Sequence, residues 1–144
     1  MRGFIFLFFL FFILAPNLIA EENVSDNMDY LGVYYFRSNF RCSNCYKIEE
    51  YTKESVEGFF EKELSSGELV YKVINIDEKE NSHFIEGYQL YTKSVVLSRV
   101  VSGEETEYKN LQKIWEYLDD KDKFRNYIKE EINSFLHKKK EEEI

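Results

Sequence analysis

The sequence predicts an α/β domain in which a mixed sheet of about four strands is flanked by helices, in the order βαβ and then ββα, with an extra C-terminal helix. Three observations predict this class. Four short runs are rich in β-branched and aromatic residues, amphipathic segments with helical periodicity lie between and after them, and 144 residues suffice for one domain of this kind.

The composition excludes several other classes of protein. A chain that is 44% hydrophobic is too apolar to be disordered, and 144 residues are too few for a large multidomain enzyme. The 27 acidic residues outnumber the 19 Lys and Arg, which gives a net charge of −8. We therefore expect no nucleic-acid partner, because binding to phosphates requires a basic face. Two cysteines are too few for a disulfide scaffold or a four-cysteine zinc site.

The first 20 residues have the three-part pattern of a secretory signal peptide. Arg2 supplies a positive charge, residues 4–14 are an unbroken run of Phe, Leu and Ile, and the segment ends at the small residue Ala20. The apolar run is shorter than the roughly 20 residues that span a bilayer. We expect a signal peptide at 1–20, with an uncleaved N-terminal anchor as the alternative. The rest of the chain is then exported to a periplasmic or other extracytoplasmic compartment, and touches the membrane only through that segment if it stays uncleaved.

The first half of the remaining chain predicts a linker, a strand and a helix. Residues 21–30 are polar and aperiodic, as in a linker. Residues 31–36 are aromatic and β-branched, which predicts a buried strand. Apolar side chains between Cys42 and Leu64 recur with helical spacing, and Gly67 suits a left-handed C-terminal cap.

The second half predicts three more strands, with a short helix between the first two of them, and then two C-terminal helices. Residues 69–76 form the second predicted strand, and Ser82 is expected to cap a short helix. Residues 94–101 form the third strand, which a turn at 102–104 joins to a short fourth strand at 105–108.

Two helices are expected after the fourth strand. Asn110 is predicted to cap the first, in which apolar residues follow at i, i+3, i+4 and i+7, and the second begins after Asp119-Asp120. We expect the domain to comprise residues 31–137 and the charged residues 138–144 to be a solvated tail.

Both cysteines lie where the first strand gives way to its helix. Cys42 and Cys45 are separated by two residues, a spacing that the first turn of a helix can close into a disulfide. The free N–H groups and the positive dipole end of the helix would stabilise a thiolate at Cys42, and Arg41 would act in the same direction. Cys45 lies one turn further on the apolar face. We therefore expect Cys42 to attack a partner disulfide and Cys45 to resolve the mixed disulfide.

Other interpretations of the cysteine pair stay open. As half of a zinc site the pair would need His83, His137 or carboxylates as further ligands, and we expect no metal ion in a single chain. Two chains could bind a metal ion or an iron–sulfur cluster if each contributed Cys42 and Cys45. A third alternative is an inert disulfide in a redox-inactive adaptor or binding module.

Over about residues 31–118 the chain resembles the thioredoxin family. Besides the Cys-x-x-Cys motif, residues 73–77 (VINID) are similar to the family's second central strand, which often ends in Asn-Ile-Asp. Residues 88–97 are similar to the stretch that leads into its third strand. The run from Cys42 to Glu49 is also similar to a group of short prokaryotic thioredoxin-like proteins.

The resemblance implies a thioredoxin-like fold and thiol–disulfide exchange with protein thiols and disulfides, catalysed by Cys42 and Cys45. No organic cofactor is expected, because the cysteine pair itself carries two electrons. A reductant of this kind outside the cytoplasm would also need a membrane electron donor, and an oxidant would need an acceptor.

The resemblance also implies a substrate groove beside the cysteine pair, formed by Arg41, Lys93 and Ser94. Ser94 stands where the family usually has a cis-proline, and without proline the Lys93–Ser94 bond is expected to be trans. Thioredoxins bury an acid on the first strand, whereas residues 31–36 contain none.

Overall fold

A mixed four-stranded sheet in the order β2-β1-β3-β4 forms the centre of the computed structural model. The strands are β1 (Tyr30–Arg37), β2 (Leu69–Asn75), β3 (Ser94–Val101) and β4 (Glu104–Asn110). Strand β1 pairs in parallel with β2 and antiparallel with β3, and β3 pairs antiparallel with β4. The predicted α/β class with a mixed sheet and a thioredoxin-like strand order is confirmed.

The structure describes the backbone of residues 29–142 and the side chains of residues 29–138. The predicted signal peptide at 1–20 and most of the predicted linker at 21–30 lie outside the described residues. Between residues 29 and 142, no helix combines the length and the apolar character that crossing a bilayer requires.

Between residues 29 and 142, four α-helices flank the sheet: α1 (Ser43–Phe59), α2 (Glu61–Ser66), α3 (His83–Gly87) and α4 (Lys121–Glu142). Helices α1 and α4 pack against each other, and α4 is the predicted extra C-terminal helix. It extends past residue 138, where the charged tail was expected to begin. The buried Arg99 of β3 fastens α4 to the sheet, because its guanidinium donates a hydrogen bond to the carbonyl of Phe135.

The two faces of the sheet are covered unequally. The larger core lies between the sheet and helices α1 and α4, and it contains alternate residues of β1 such as Val33 and Tyr35. The intervening residues Tyr34 and Phe36 point to the other face, where they pack with Tyr88 from the segment after α3. This alternation is the period of two that a strand imposes on its side chains.

The single helix predicted over residues 42–64 is interrupted. Phe60 has φ −131° and ψ 33°, outside the helical region, so that α1 ends at Phe59 and α2 begins at Glu61. The break leaves Phe60 buried and Phe59 exposed, with the cation of Arg125 over the Phe59 ring. Gly67 caps α2 at φ 79°, which confirms the predicted left-handed cap.

The helix predicted after Asn110 is wrong. Asn110 is the last residue of β4, which is longer than predicted, and the N–H of Leu111 still donates to the carbonyl of Val95 at 2.8 Å. Because this bond continues the pairing with β3, the backbone cannot begin a helix there. A 3₁₀ turn at Gln112–Ile114 and further turns follow instead, although Leu111 and Ile114 are buried as their spacing indicated.

A helix cap at Ser82 and a hairpin turn after β3 were also predicted. Ser82 precedes α3, but its hydroxyl donates to the carbonyl of Lys79 and makes no capping bond, because a 3₁₀ turn at Lys79–Asn81 already leads into the helix. Ser102 and Gly103 have φ values of 53° and 82°, and two such residues in succession form the tight hairpin turn between β3 and β4.

Candidate functional site

Cys42 and Cys45 form a disulfide at the N-terminus of α1, with their Cα atoms 5.1 Å apart. Cys42 is the N-cap residue, and its extended backbone (φ −112°, ψ 166°) lets its side chain fold back over the first turn. The Sγ atom of Cys42 accepts a hydrogen bond from the N–H of Cys45 at 3.3 Å. The first sulfur thus satisfies one of the amides that a helix leaves free at its start.

The two sulfur-bearing residues differ in burial. Cys45 is fully buried on the apolar side of α1, whereas Cys42 is partly exposed. This is the difference that the helical spacing predicts. A sulfur atom of another molecule therefore has access to Cys42 before it can approach Cys45.

Tyr35 of β1 lies beneath the second cysteine. Its hydroxyl donates a 2.8 Å hydrogen bond to the carbonyl oxygen of Cys45, and its side chain is fully buried. Burial raises the pKa of Tyr35 to about 12, although the nearby Arg41 acts in the opposite direction. The phenol is therefore a neutral, permanent donor at neutral pH, and it ties the first turn of α1 to the sheet.

Arg41 lies beside Cys42 in an ion pair with Glu49, one turn further along α1 than Cys45. The guanidinium carbon of Arg41 also lies 4.3 Å from the ring centroid of Tyr46. Both partners hold the guanidinium at the start of the helix, where a positive charge favours a thiolate.

The loop that leads into Cys42 is also held from the side of β2. The amide of Asn75, which is only 7% exposed, donates to Oδ1 of Asn39 at 2.9 Å. The N–H of Asn39 in turn donates to Oδ2 of Asp77 at 2.7 Å. Asn75 and Asp77 are the polar residues of the Asn-Ile-Asp segment, and here they fix the loop that carries the cysteine motif.

Lys93 lies next to the same loop. Its Nζ atom is 5.5 Å from the ring centroid of Phe40, two residues before Cys42. Ser94 pairs with Phe36 across the two central strands β1 and β3, so it lies at the end of the strands from which the loop departs. No cis peptide bond occurs between residues 29 and 142, and the Lys93–Ser94 bond is accordingly trans.

The hydrogen bond of the Ser94 side chain is made away from the cysteine pair. It is 4% exposed, and its hydroxyl donates to the carbonyl of Thr92 at 3.0 Å. It lines a cleft of about 380 Å³ that is also bordered by Tyr108 and Trp115. Of the three predicted groove residues, Arg41 and Lys93 thus have contacts with the residues around Cys42, whereas the hydroxyl of Ser94 makes its hydrogen bond within its own segment.

Three exposed aromatic side chains, on the loop before Cys42, on α1 and on the segment before β3, were absent from the sequence prediction. Phe40 is 74% exposed, Tyr46 is 57% exposed and Tyr91 is 92% exposed. The signal that could have identified them is an aromatic residue in a place where packing does not require one. Phe40 and Tyr91 stand in polar loops, and Tyr46 lies outside the apolar stripe of α1.

Metal ligands are not gathered at this site. Within the described part of the chain, no group of three or more His, Cys, Asp or Glu side chains is arranged to hold a metal ion. The Nδ1 atom of His83 lies 2.8 Å from the carbonyl of Glu80, and its ring packs on Phe84.

No protein-family model matches the chain, and no curated protein matches it in sequence. The evidence for a thioredoxin-like fold therefore comes from the structure. It consists of the mixed sheet with strand order β2-β1-β3-β4, the flanking helices, and the Cys-x-x-Cys disulfide at the start of the first helix.

Proposed function

We propose that this protein is a thiol–disulfide oxidoreductase that acts on the cysteines of other proteins. The observation that carries the proposal is the disulfide between a partly exposed N-cap cysteine, Cys42, and a fully buried one, Cys45. A disulfide that only stabilised the fold would gain little from so short a loop, because its effect on chain entropy grows with loop length.

The exchange needs no reagent other than the two partners. In the reducing direction, the thiolate of Cys42 attacks a disulfide of the partner, and one partner sulfur leaves as a thiolate that takes up a proton. Cys45 then loses its proton and attacks Cys42, which releases the second partner thiol and closes the Cys42–Cys45 disulfide. Two electrons and two protons pass to the partner, and the reverse sequence oxidises a partner dithiol.

The surroundings of Cys42 support its role as the attacking residue. The N–H of Cys45 donates to its sulfur, and the N-terminus of the 17-residue helix α1 adds the positive end of its dipole. Arg41, the residue before Cys42, adds a positive charge that its ion pair with Glu49 partly offsets. These groups stabilise the thiolate, which is the reactive form of cysteine.

The same proposal includes export. Residues 1–20 would direct the chain to a compartment outside the cytoplasm. In such a compartment disulfides persist, and a membrane protein would supply or accept the electrons. Cell fractionation with an antibody against the chain tests this part. Recovery of the protein in the extracytoplasmic fraction is expected, and recovery in the cytoplasm would contradict it.

Equilibration of the purified protein with glutathione buffers of graded potential tests the exchange reaction. We expect a reversible two-electron couple, which Cys42→Ser abolishes. Cys45→Ser is the matched variant: it keeps the attacking thiol but cannot resolve the product, so a mixed disulfide with the partner should accumulate. A disulfide that resists strong reductants, or thiols that exchange no faster than free cysteine, would contradict the proposal and favour a redox-inactive binding module.

A further inference from the structure

Six residues on the segments that lead into, follow or lie beside the loop before Cys42 form a group that we call the rim. They combine three aromatic rings with three cations: Arg37, Phe40, Arg41, Tyr46, Tyr91 and Lys93. The rim is drawn from three segments, namely the end of β1 with the following loop, the first turn of α1, and the segment before β3.

Contacts join the rim residues in two groups, one of which reaches Cys42. Arg41 lies over the ring of Tyr46, whose N–H donates to the carbonyl of Cys42 at 3.2 Å. Lys93 lies over the ring of Phe40. The remaining two residues share a cleft of about 110 Å³ with Lys93, so that Arg37 and Tyr91 lie on its walls.

The charge of the rim is opposite to that of the chain. The whole protein has a net charge of −8, yet the rim contains three cations and no acid. Arg41 is paired with Glu49, whereas no ion pair joins Arg37 or Lys93 to any described side chain. The aromatic rings are exposed where burial would be expected of Phe and Tyr.

We propose that the rim selects partner proteins in which acidic and aromatic residues flank the reacting cysteine. This inference rests on the proposed function and specifies its substrate class. Arg37 and Lys93 would attract the carboxylates of such a segment, while Phe40, Tyr46 and Tyr91 would bury its apolar side chains. The acidic remainder of the chain would repel the same segment, so that it is steered to the cysteine pair.

Competition between two disulfide peptides tests this selection. The peptides are identical except that Glu and Phe flank one cysteine in the first, and Lys and Phe in the second. We expect the reduced protein to react roughly tenfold faster with the acidic peptide, as electrostatic steering allows. Raising NaCl from about 0.1 M to about 1 M should remove most of the preference, because the screening length falls from about 10 Å to about 3 Å.

Charge variants assign the preference to the rim. In the double variant Arg37→Gln/Lys93→Gln, the ratio of the two rates should fall towards one. Lys62→Gln is the matched control, because Lys62 is an exposed cation on α2, between the far end of α1 and the start of β2. In Lys62→Gln the ratio should stay at the wild-type value. In Tyr91→Ala, both peptides should react roughly threefold more slowly through loss of ring contact.

The outcomes separate this inference from the function on which it rests. Oxidised 2-mercaptoethanol is a small neutral disulfide, and failure of the wild-type protein to exchange with it would overturn the proposed function and the rim proposal together. Exchange without any preference between the peptides would overturn the rim proposal alone. Binding to anionic phospholipid vesicles that the double variant abolishes, without a peptide preference, would overturn it in favour of a membrane surface.

Discussion

The two faces of the sheet achieve burial by different means. On the face covered by α1 and α4, the described core comprises 16 buried residues, mostly aliphatic side chains and phenylalanines. On the other face, the described core comprises only five buried residues, and two of them are Tyr34 and Tyr88. The hydroxyls of Tyr88 and Ser98 both donate to the carboxylate of Glu105, an exposed residue of β4. The first face is a thick apolar layer, and the second is a thin layer of rings closed by hydrogen bonds.

The difference shows where the cysteine site obtains its rigidity. Helix α1, which begins at the cysteine pair, lies on the thick face and packs along α4. The thin face is covered by the five-residue helix α3 and its neighbouring turns. Stability should therefore be concentrated on the face that holds the cysteines, and the following predictions test that asymmetry.

The largest effect is expected from removing a ring on the thick face. Phe124 is fully buried on α4, so Phe124→Ala should lower the free energy of unfolding by about 3–5 kcal/mol. The matched variant on the thin face is Phe84→Ala, which removes a half-buried ring and should cost about 1 kcal/mol. Urea denaturation of both variants measures the two values. Equal losses would contradict the asymmetry.

A smaller effect is expected from a methyl group on the thin face. Gly32 lies on β1 under the ring of Tyr34, and a Cβ atom at Gly32 would overlap that ring. Gly32→Ala should cost about 1–3 kcal/mol, because the buried ring must shift away from the hydroxyl of Tyr30.

Gly87→Ala on α3 is the control for the same change, since a Cβ atom there meets no other group within 4 Å. This variant should be neutral or slightly more stable, because alanine favours helix over glycine. Thermal unfolding of both variants makes the comparison, and an unaltered melting temperature in Gly32→Ala would show that the thin face tolerates repacking.

The smallest effect is a loss of stability at alkaline pH. The pKa of Tyr35 is raised to about 12 in the folded protein, compared with about 10 in an unfolded chain. The unfolded chain therefore loses this proton first. The contribution of Tyr35 to the free energy of unfolding is then complete below pH 10 and decreases as the pH rises towards 12. By pH 11 one such tyrosine lowers the free energy of unfolding by about 1.4 kcal/mol.

Denaturation at pH 9 and pH 11 measures this loss. Burial also raises the pKa of Tyr34 and Tyr88 on the thin face, so both faces contribute in the same direction. Tyr35→Phe should reduce the difference between the two pH values by the share of that one residue. A difference that Tyr35→Phe leaves unchanged would show that Tyr35 keeps its ordinary pKa.

The strands and the cysteine motif could be predicted because they depend on local patterns. Strand β3 begins and ends at the predicted residues, since its β-branched run is bounded by polar turns. The unequal burial of Cys42 and Cys45 follows from a spacing of three residues on a helix.

The errors arise where distant contacts decide the backbone. The apolar period runs on past Phe60, so only the packing of that ring reveals the break between α1 and α2. The spacing after Asn110 is helical, but the hydrogen bond from Leu111 to Val95, 16 residues earlier, prevents a helix. Similarly, the rim joins Phe40 to Lys93 through the antiparallel pairing of β1 with β3, which no local pattern indicates.

The hydrogen bonds of Asn39 have a consequence for the redox cycle proposed above. They anchor the approach to Cys42 through Asn75 and Asp77, which belong to the neighbouring strand and its turn, and neither bond involves sulfur. Breaking the disulfide therefore removes one of several restraints on this loop. We therefore expect the oxidised and reduced forms to share the backbone of this loop, so that exchange at the cysteines requires little rearrangement of the chain.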